Sequence, residues 1–197
     1  FAEKHDLIVF ADEMYEHFLY GDAVHVTALS VPSLRERCVV LSGFSKVFSI
    51  TGWRLGYAIA PIHVIEAMAQ LNDLIYVCAP APLQMVVAKG LMDLGPEYYE
   101  KLATEYLGKR DKICAALSRA GLEPCVPQGA YYVLADISRL PGKNSKERAM
   151  HLLRATGVAC VPGEAFYHDD AGENLARFCY AKEDSVLDEA CRRIDKL

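Results

Sequence analysis

Three short apolar runs, each stopped by a turn-forming or polar residue, constrain this chain most: LIVFAD (Leu7 to Asp12), CVVLSG (Cys38 to Gly43) and LGYAIA (Leu55 to Ala60). Each is too short for a helix, and apolar residues in succession rather than alternation mark a strand covered on both faces. Helical patterning follows at once: Pro61 suits a first helical position, and Val64, Ile65, Met68, Ala69 and Leu71 recur at helical spacing. A second helix is expected from Pro82 to Met92. Strands interleaved with helices predict an α/β fold, with these runs in a mainly parallel sheet.

The pattern then changes. Tyr99, Leu102, Tyr106, Ile113 and Leu117 recur between charges from Pro96 to Ala120, with Gly121 just beyond, which predicts one long amphipathic helix and its stop. After it, Ala130 to Ser138, Val158 to Gly163 and Leu175 to Ala181 read as strands, and Lys146 to Thr156 and Asp184 to Lys196 as helices. Two domains are expected, 1–95 and 96–197, the second a smaller α/β unit that opens with the linking helix.

Composition narrows the function classes. The formal net charge of -5 provides no basic face for a phosphate backbone, so a nucleic-acid partner is not expected. No apolar run approaches the length of a membrane span, and no basic segment followed by an apolar one opens the chain. Seven cysteines stand singly without CxxC pairs, against a disulfide framework and for reduced thiols in a cytoplasm. The histidines form no HExxH or paired-ligand spacing, so no metal is expected. Phe1 is not an initiator Met and FAEKHDLIVFADE reads as helix end, loop and strand, so a piece of a longer polypeptide is expected.

The chemistry concentrates in SGFSKVFSITGWRLGY, Ser42 to Tyr57, where a lysine sits among small and apolar residues just past a strand. An amine attacks an aldehyde only after shedding its proton, and desolvation disfavours the ammonium form. The stretch resembles the cofactor-lysine signature of class I/II aminotransferases of the aspartate aminotransferase fold, through Ser45, Lys46, Thr51, Gly52, Trp53, Arg54, Gly56 and Tyr57. The resemblance implies pyridoxal 5'-phosphate held by Lys46 as a Schiff base, with Lys46 also the catalytic base. It implies Arg54 as the phosphate ligand, a role suited to a bidentate guanidinium. Gly52 and Gly56 are expected to let the backbone turn and approach closely. A Ser or Thr often stands three residues before the lysine in that family; here the position is Gly43, which leaves Ser42, Ser45 or a backbone N–H to take its place.

Two further segments carry the resemblance. In ADEMYEHF, Asp12 ends a strand 34 residues before Lys46, close to the family spacing, and Tyr15 follows. The matching aspartate pairs with the cofactor's ring nitrogen and the matching tyrosine donates to its O3'. In ENLARFCYA, Arg177 matches the arginine that binds a substrate's α-carboxylate. PQGAYYVLADI, with Gly129 and Tyr131 able to approach substrate, and VPGEAFY before the arginine strand are similar as well. Taken together, the resemblance covers the later part of a large cofactor domain and the whole small domain. It implies an aminotransferase acting on amino acids and 2-oxo acids, a homodimer in full-length form, whose first half completes the phosphate site. Other reactions of the same fold, such as β-lyase chemistry, and an effector domain fused to a DNA-binding module are the competing readings. The segment alone is expected to bind cofactor weakly and turn over little.

Overall fold

The computed structural model describes residues 1–197, which form two compact units, Phe1–Leu102 and Ala103–Leu197. In the first unit, strands β1 (Val9–Asp12), β2 (Cys38–Gly43) and β3 (Gly56–Ile59) form a sheet in that order. β1 and β2 run parallel, but β3 is antiparallel to β2, with Gly43 opposite Gly56. This corrects the expectation of a third parallel strand. A parallel return would have to recross β2, six residues long at about 3.3 Å each. The chain offers only the four-residue helix α1 (Phe44–Val47), which advances about 6 Å, and a 3-10 turn at Thr51–Trp53.

Burial on both faces holds for β2 alone: Cys38, Val39 and Val40 are buried, whereas β1 alternates with exposed positions and β3 is largely exposed. β1 and β3 each have a single neighbour in the sheet. Helices α2 (Ile62–Ile75) and α3 (Ala81–Asp93) bury between them only Val87. Pro61 is the N-cap of α2 rather than its first residue. The core of this unit gathers Phe18, Tyr20, Val39, Val40, Val47 and Leu55.

Helix α4 (Pro96–Arg119) spans the boundary between the units and ends at Gly121, whose φ of +70° suits the left-handed turn that stops it. The second unit holds β4 (Glu123–Cys125), β5 (Tyr132–Asp136), β6 (Val161–Pro162) and β7 (Leu175–Cys179) in the order β4-β5-β7-β6, with every pair antiparallel. β4 falls between the long helix and Ala130, where the sequence predicts no strand. Helices α5 (Ser145–Thr156) and α6 (Asp184–Ile194) complete it. α5 is capped by the Asn144 side chain, which accepts from Glu147 N at 2.9 Å.

Strict alternation fixes the two faces of this sheet. Val133, Ala135, Ala176 and Phe178 are buried in the same core as Leu117, Leu152, Leu187 and Ile194 from the helices. Tyr132, Leu134 and Arg177 take the opposite face and are only half-buried. Each large apolar side chain of that core contributes on the order of 1.5–3 kcal/mol, enough to hold Arg177's strand rigidly from behind.

Candidate active site

Asp12 is the last residue of β1 and lies opposite Leu41 on β2. Its carboxylate is exposed and its Oδ1 accepts from Met14 N at 3.1 Å, a short-range bond that orients the group as the strand ends. The next residue turns the other way. Glu13 is buried, with Oε1 accepting from Ala28 N at 2.8 Å and from the Thr27 hydroxyl at 3.1 Å, and Oε2 lying 2.9 Å from His25 Nε2. Burial works against its charge, but the Ala28 amide, His25 and the Thr27 hydroxyl outweigh it and hold the carboxyl below its ordinary range. Tyr15 follows in the same turn, half-buried, its ring edge-on to Phe18.

Lys46 stands in α1, which begins directly where β2 ends, half-buried between the buried Ser45 and Val47. The turn is fixed by its backbone: Phe48 N donates to Phe44 O, Ser49 N to Lys46 O, and the Tyr98 hydroxyl donates to Val47 O at 2.7 Å. Since β1 and β2 are parallel neighbours, Asp12 and the turn bearing Lys46 emerge at the same edge of the sheet, the edge at which α/β folds bind ligands. Arg54 caps the Thr51–Trp53 turn in a left-handed conformation, φ +57°, unusual for a residue other than glycine. Its exposed guanidinium donates from Nη1 to Thr51 O at 2.9 Å.

The departure at Gly43 has a steric cause. A Cβ there would lie 2.8 Å from Gly56 Cα and 2.9 Å from Leu55 O, and one on Gly56 would lie 2.9 Å from Ser42 O. Two bare backbones therefore cross where β2 meets β3. Gly52, by contrast, has open space around it, so close approach belongs to Gly43 and Gly56. Ser42 is committed elsewhere, donating to Glu16 Oε1 at 2.8 Å, which also accepts from the Tyr57 hydroxyl at 3.2 Å. Burial raises the Tyr57 phenol above its usual range, and Glu16 beside it adds to the shift. The sequence reading missed this acidic network: the ligand atoms of Glu13, Glu16 and His25 lie within 4.8 Å of one another. Glu16 ties the segment after Asp12 to β2 and β3 through Ser42 and Tyr57, and Glu13 ties it to the loop at His25, Thr27 and Ala28.

In the second unit Arg177 lies on β7, flanked by Leu134 of β5 and Val161 of β6. Its Cζ stands 4.1 Å from the centre of the Tyr132 ring and 4.2 Å from that of Phe166, over the face of each. A cavity of about 490 Å³ opens there, walled by these rings with Tyr167, Leu134 and Pro127. Tyr131, for which the sequence left packing and substrate approach both open, is buried on the core face, its ring 6.1 Å from that of Tyr106, and Tyr132 takes the outward place. All seven cysteines are unpaired, and no helix is long and apolar enough to cross a membrane.

A lysine-bearing turn and an acid at neighbouring parallel strand ends, joined to an antiparallel unit that presents an arginine, define a fold type I architecture. Residues 1–194 match the family described as aminotransferase class I and II, and the chain belongs to it. It is 38% identical to the aspartate aminotransferase of Pyrococcus abyssi, across 100% of this chain and 50% of that protein. It is 33% identical to the methionine aminotransferase of Escherichia coli K12, over 98% of this chain and 50% of the other. Among solved structures, the aromatic aminotransferase from Pyrococcus horikoshii OT3 superimposes with a TM-score of 0.90 at 37% identity, over 99% of this chain and 52% of that one. The N-succinyldiaminopimelate aminotransferase of Mycobacterium tuberculosis gives 0.92 at 31%, over 99% and 51%. The chain thus spans about half the length of the relatives it matches.

Proposed function

We propose that this chain is the lysine-bearing half of a pyridoxal 5'-phosphate-dependent aminotransferase, which moves an amino group from an amino acid to a 2-oxo acid. The donor leaves as its own 2-oxo acid and the acceptor leaves as an amino acid, so no outside oxidant or reductant is needed. The observation that carries the reading is the emergence of Asp12 and the Lys46 turn at one edge of adjacent parallel strands.

The donor set suits the cofactor: an exposed carboxylate for a ring nitrogen, an amine for an aldehyde carbon, and a guanidinium for a phosphate. When bound, pyridoxal phosphate supplies an electron sink for the bond broken at the amino acid's Cα. Asp12 would hold the ring nitrogen in its protonated form, which that sink requires. Tyr15 would donate to the ring's phenolic oxygen. Lys46 would hold the cofactor through its aldehyde carbon, and its amine would be the base that moves the proton at the substrate's Cα. Arg54, with one N–H group bonded to Thr51 O, would hold the phosphate through the others, and with Ser42 committed to Glu16 either Ser45 or a backbone N–H of the turn would assist it. In the second unit Arg177 would bind the substrate's α-carboxylate by donating paired charge-assisted hydrogen bonds to it.

For the full-length protein the reading includes a homodimer in the cytoplasm, the latter supported by the seven unpaired thiols. The test is covalent trapping. The chain is incubated with pyridoxal phosphate, reduced with borohydride and digested, and the modified peptide is sequenced. Label on Lys46, above that on any other lysine, is the expected outcome; label spread evenly over surface lysines would remove the assignment.

A further inference from the structure

The rings beside Arg177 come from both sides of its strand. Tyr132 belongs to β5, two residues from Leu134, the register partner of Arg177. Phe166 follows β6, whose Val161 pairs with Arg177 on the other side. Each is fixed by structure behind it. The Tyr132 ring packs 4.7 Å from the Tyr131 ring, and Tyr131 is anchored in the core. Phe166 N donates to Gly163 O at 2.9 Å, closing a turn in which Gly163 and Gly172 press together so tightly that a Cβ on either would strike the other's backbone.

A guanidinium offers two aromatic-binding faces and an edge of N–H donors in one plane. Its carbon lies over both rings, 4.1 and 4.2 Å from their centres, and rings reaching it from the two neighbouring strands favour stacking on its faces, which leaves the N–H edge for a ligand. We infer that Tyr132 and Phe166 are positioning residues that hold the Arg177 guanidinium in plane, so that this cavity selects a flat carboxylate, presented edge-on, over a tetrahedral anion of equal charge. The inference rests on the proposed role of Arg177 and adds to it the source of its geometric selectivity. A carboxylate lies in the guanidinium plane and takes two parallel bonds; a sulfonate directs its third oxygen out of that plane, toward a ring. The remaining walls, Leu134, Pro127 and Tyr167, suit an apolar or aromatic side chain on the same ligand.

The probes are 3-phenylpropanoate and 2-phenylethanesulfonate, which share a skeleton and differ in the head group. Binding to the 197-residue chain is followed by calorimetry and by the NMR shift of the Arg177 Nε–H. The wild-type chain is expected to prefer the carboxylate. Phe166→Leu and Tyr132→Leu should each cut that preference about three-fold, the size of one partly exposed cation–π contact, while Tyr132→Phe, which keeps the ring, should retain it. Spectra of the core methyls, unchanged in each variant, exclude loss of fold. If both leucine variants keep the wild-type preference, the positioning pair is overturned while Arg177 keeps its role. If the wild-type chain binds neither probe at Arg177, the carboxylate role itself is lost, and the ring inference with it.

Discussion

Gly43 and Gly56 face each other across β2 and β3 so closely that a Cβ on the first would sit 2.8 Å from the Cα of the second. The crossing lies one residue before α1 and two after Arg54, so the same contact sets where the lysine and the arginine emerge. Gly43→Ala should destabilise the chain by about 1–3 kcal/mol, the usual cost of overpacking against backbone that cannot move aside. Gly43→Ser, which would restore the hydroxyl common in the family, should cost as much and therefore should not improve cofactor binding. Gly52→Ala, with nothing within 4 Å of its added atom, should stay within about 0.5 kcal/mol of wild type. Urea midpoints for the three variants decide the matter, and equal shifts at positions 43 and 52 would contradict the crossing.

The network under Asp12 gives a pH dependence with a definite sign. The native carboxyl of Glu13 titrates below the ordinary 4.5, because the Ala28 amide, His25 and Thr27 favour its charged form despite burial. Its contribution is therefore present in full above the unfolded value and is lost as the pH falls through the lowered native one. Glu13→Gln should destabilise the chain by about 2 kcal/mol at neutral pH, since buried donors are left poorly matched. The gap between wild type and variant should narrow below pH 4.5. Denaturation midpoints measured across the acid range would show this, and a gap independent of pH would mean that the carboxylate's charge is not what the loop requires.

The unequal legibility of the two units has a physical origin. Alternation of period two wrote the faces of β5 and β7 plainly: Val133, Ala135 and Ile137 share one parity, Tyr132, Leu134 and Asp136 the other. That parity places Tyr131 with the core and Tyr132 on the face of Arg177. The direction of β3 was not legible from its apolar residues, because parallel and antiparallel strands share a composition; the short span from Gly43 to Gly56 was the better guide. Asp12 and Lys46 were readable as strand-end residues. Phe166 was not, since it reaches Arg177 only through a turn shaped by the contact of Gly163 with Gly172. Glu13, Glu16 and His25 were equally hidden, because nothing local joins a histidine to acids nine and twelve residues before it.

The apolar surface of the first unit predicts behaviour in solution. Phe10 is 69% exposed, Leu74 83% and Ile75 82%, and α2 buries no residue at all. Exposed apolar side chains in this number on a folded chain drive association. Purified alone, the chain should self-associate with rising concentration and enhance the fluorescence of a hydrophobic dye. Leu74→Glu combined with Ile75→Lys should reduce both while shifting the unfolding midpoint by no more than about 0.5 kcal/mol, as expected of surface positions. Sedimentation at several concentrations measures the first effect, and a monodisperse monomer at high concentration would show that these side chains are covered by some other means.

Arg54 offers the sharpest separation of phosphate recognition from lysine chemistry. Its guanidinium is held by the left-handed backbone at the end of the Thr51–Trp53 turn and by its bond to Thr51 O. Lysine at this position keeps the charge but not the fork of parallel donors. Arg54→Lys should therefore weaken pyridoxal phosphate about ten-fold, or 1.4 kcal/mol, and leave pyridoxal, which lacks the phosphate, unchanged. The concentration dependence of borohydride trapping at Lys46 reads both affinities in one assay. Equal weakening of the two ligands would mean that the substitution disturbs α1 rather than a phosphate contact. Equal retention would mean that the phosphate is held elsewhere, and Ser45 would be the next residue to replace.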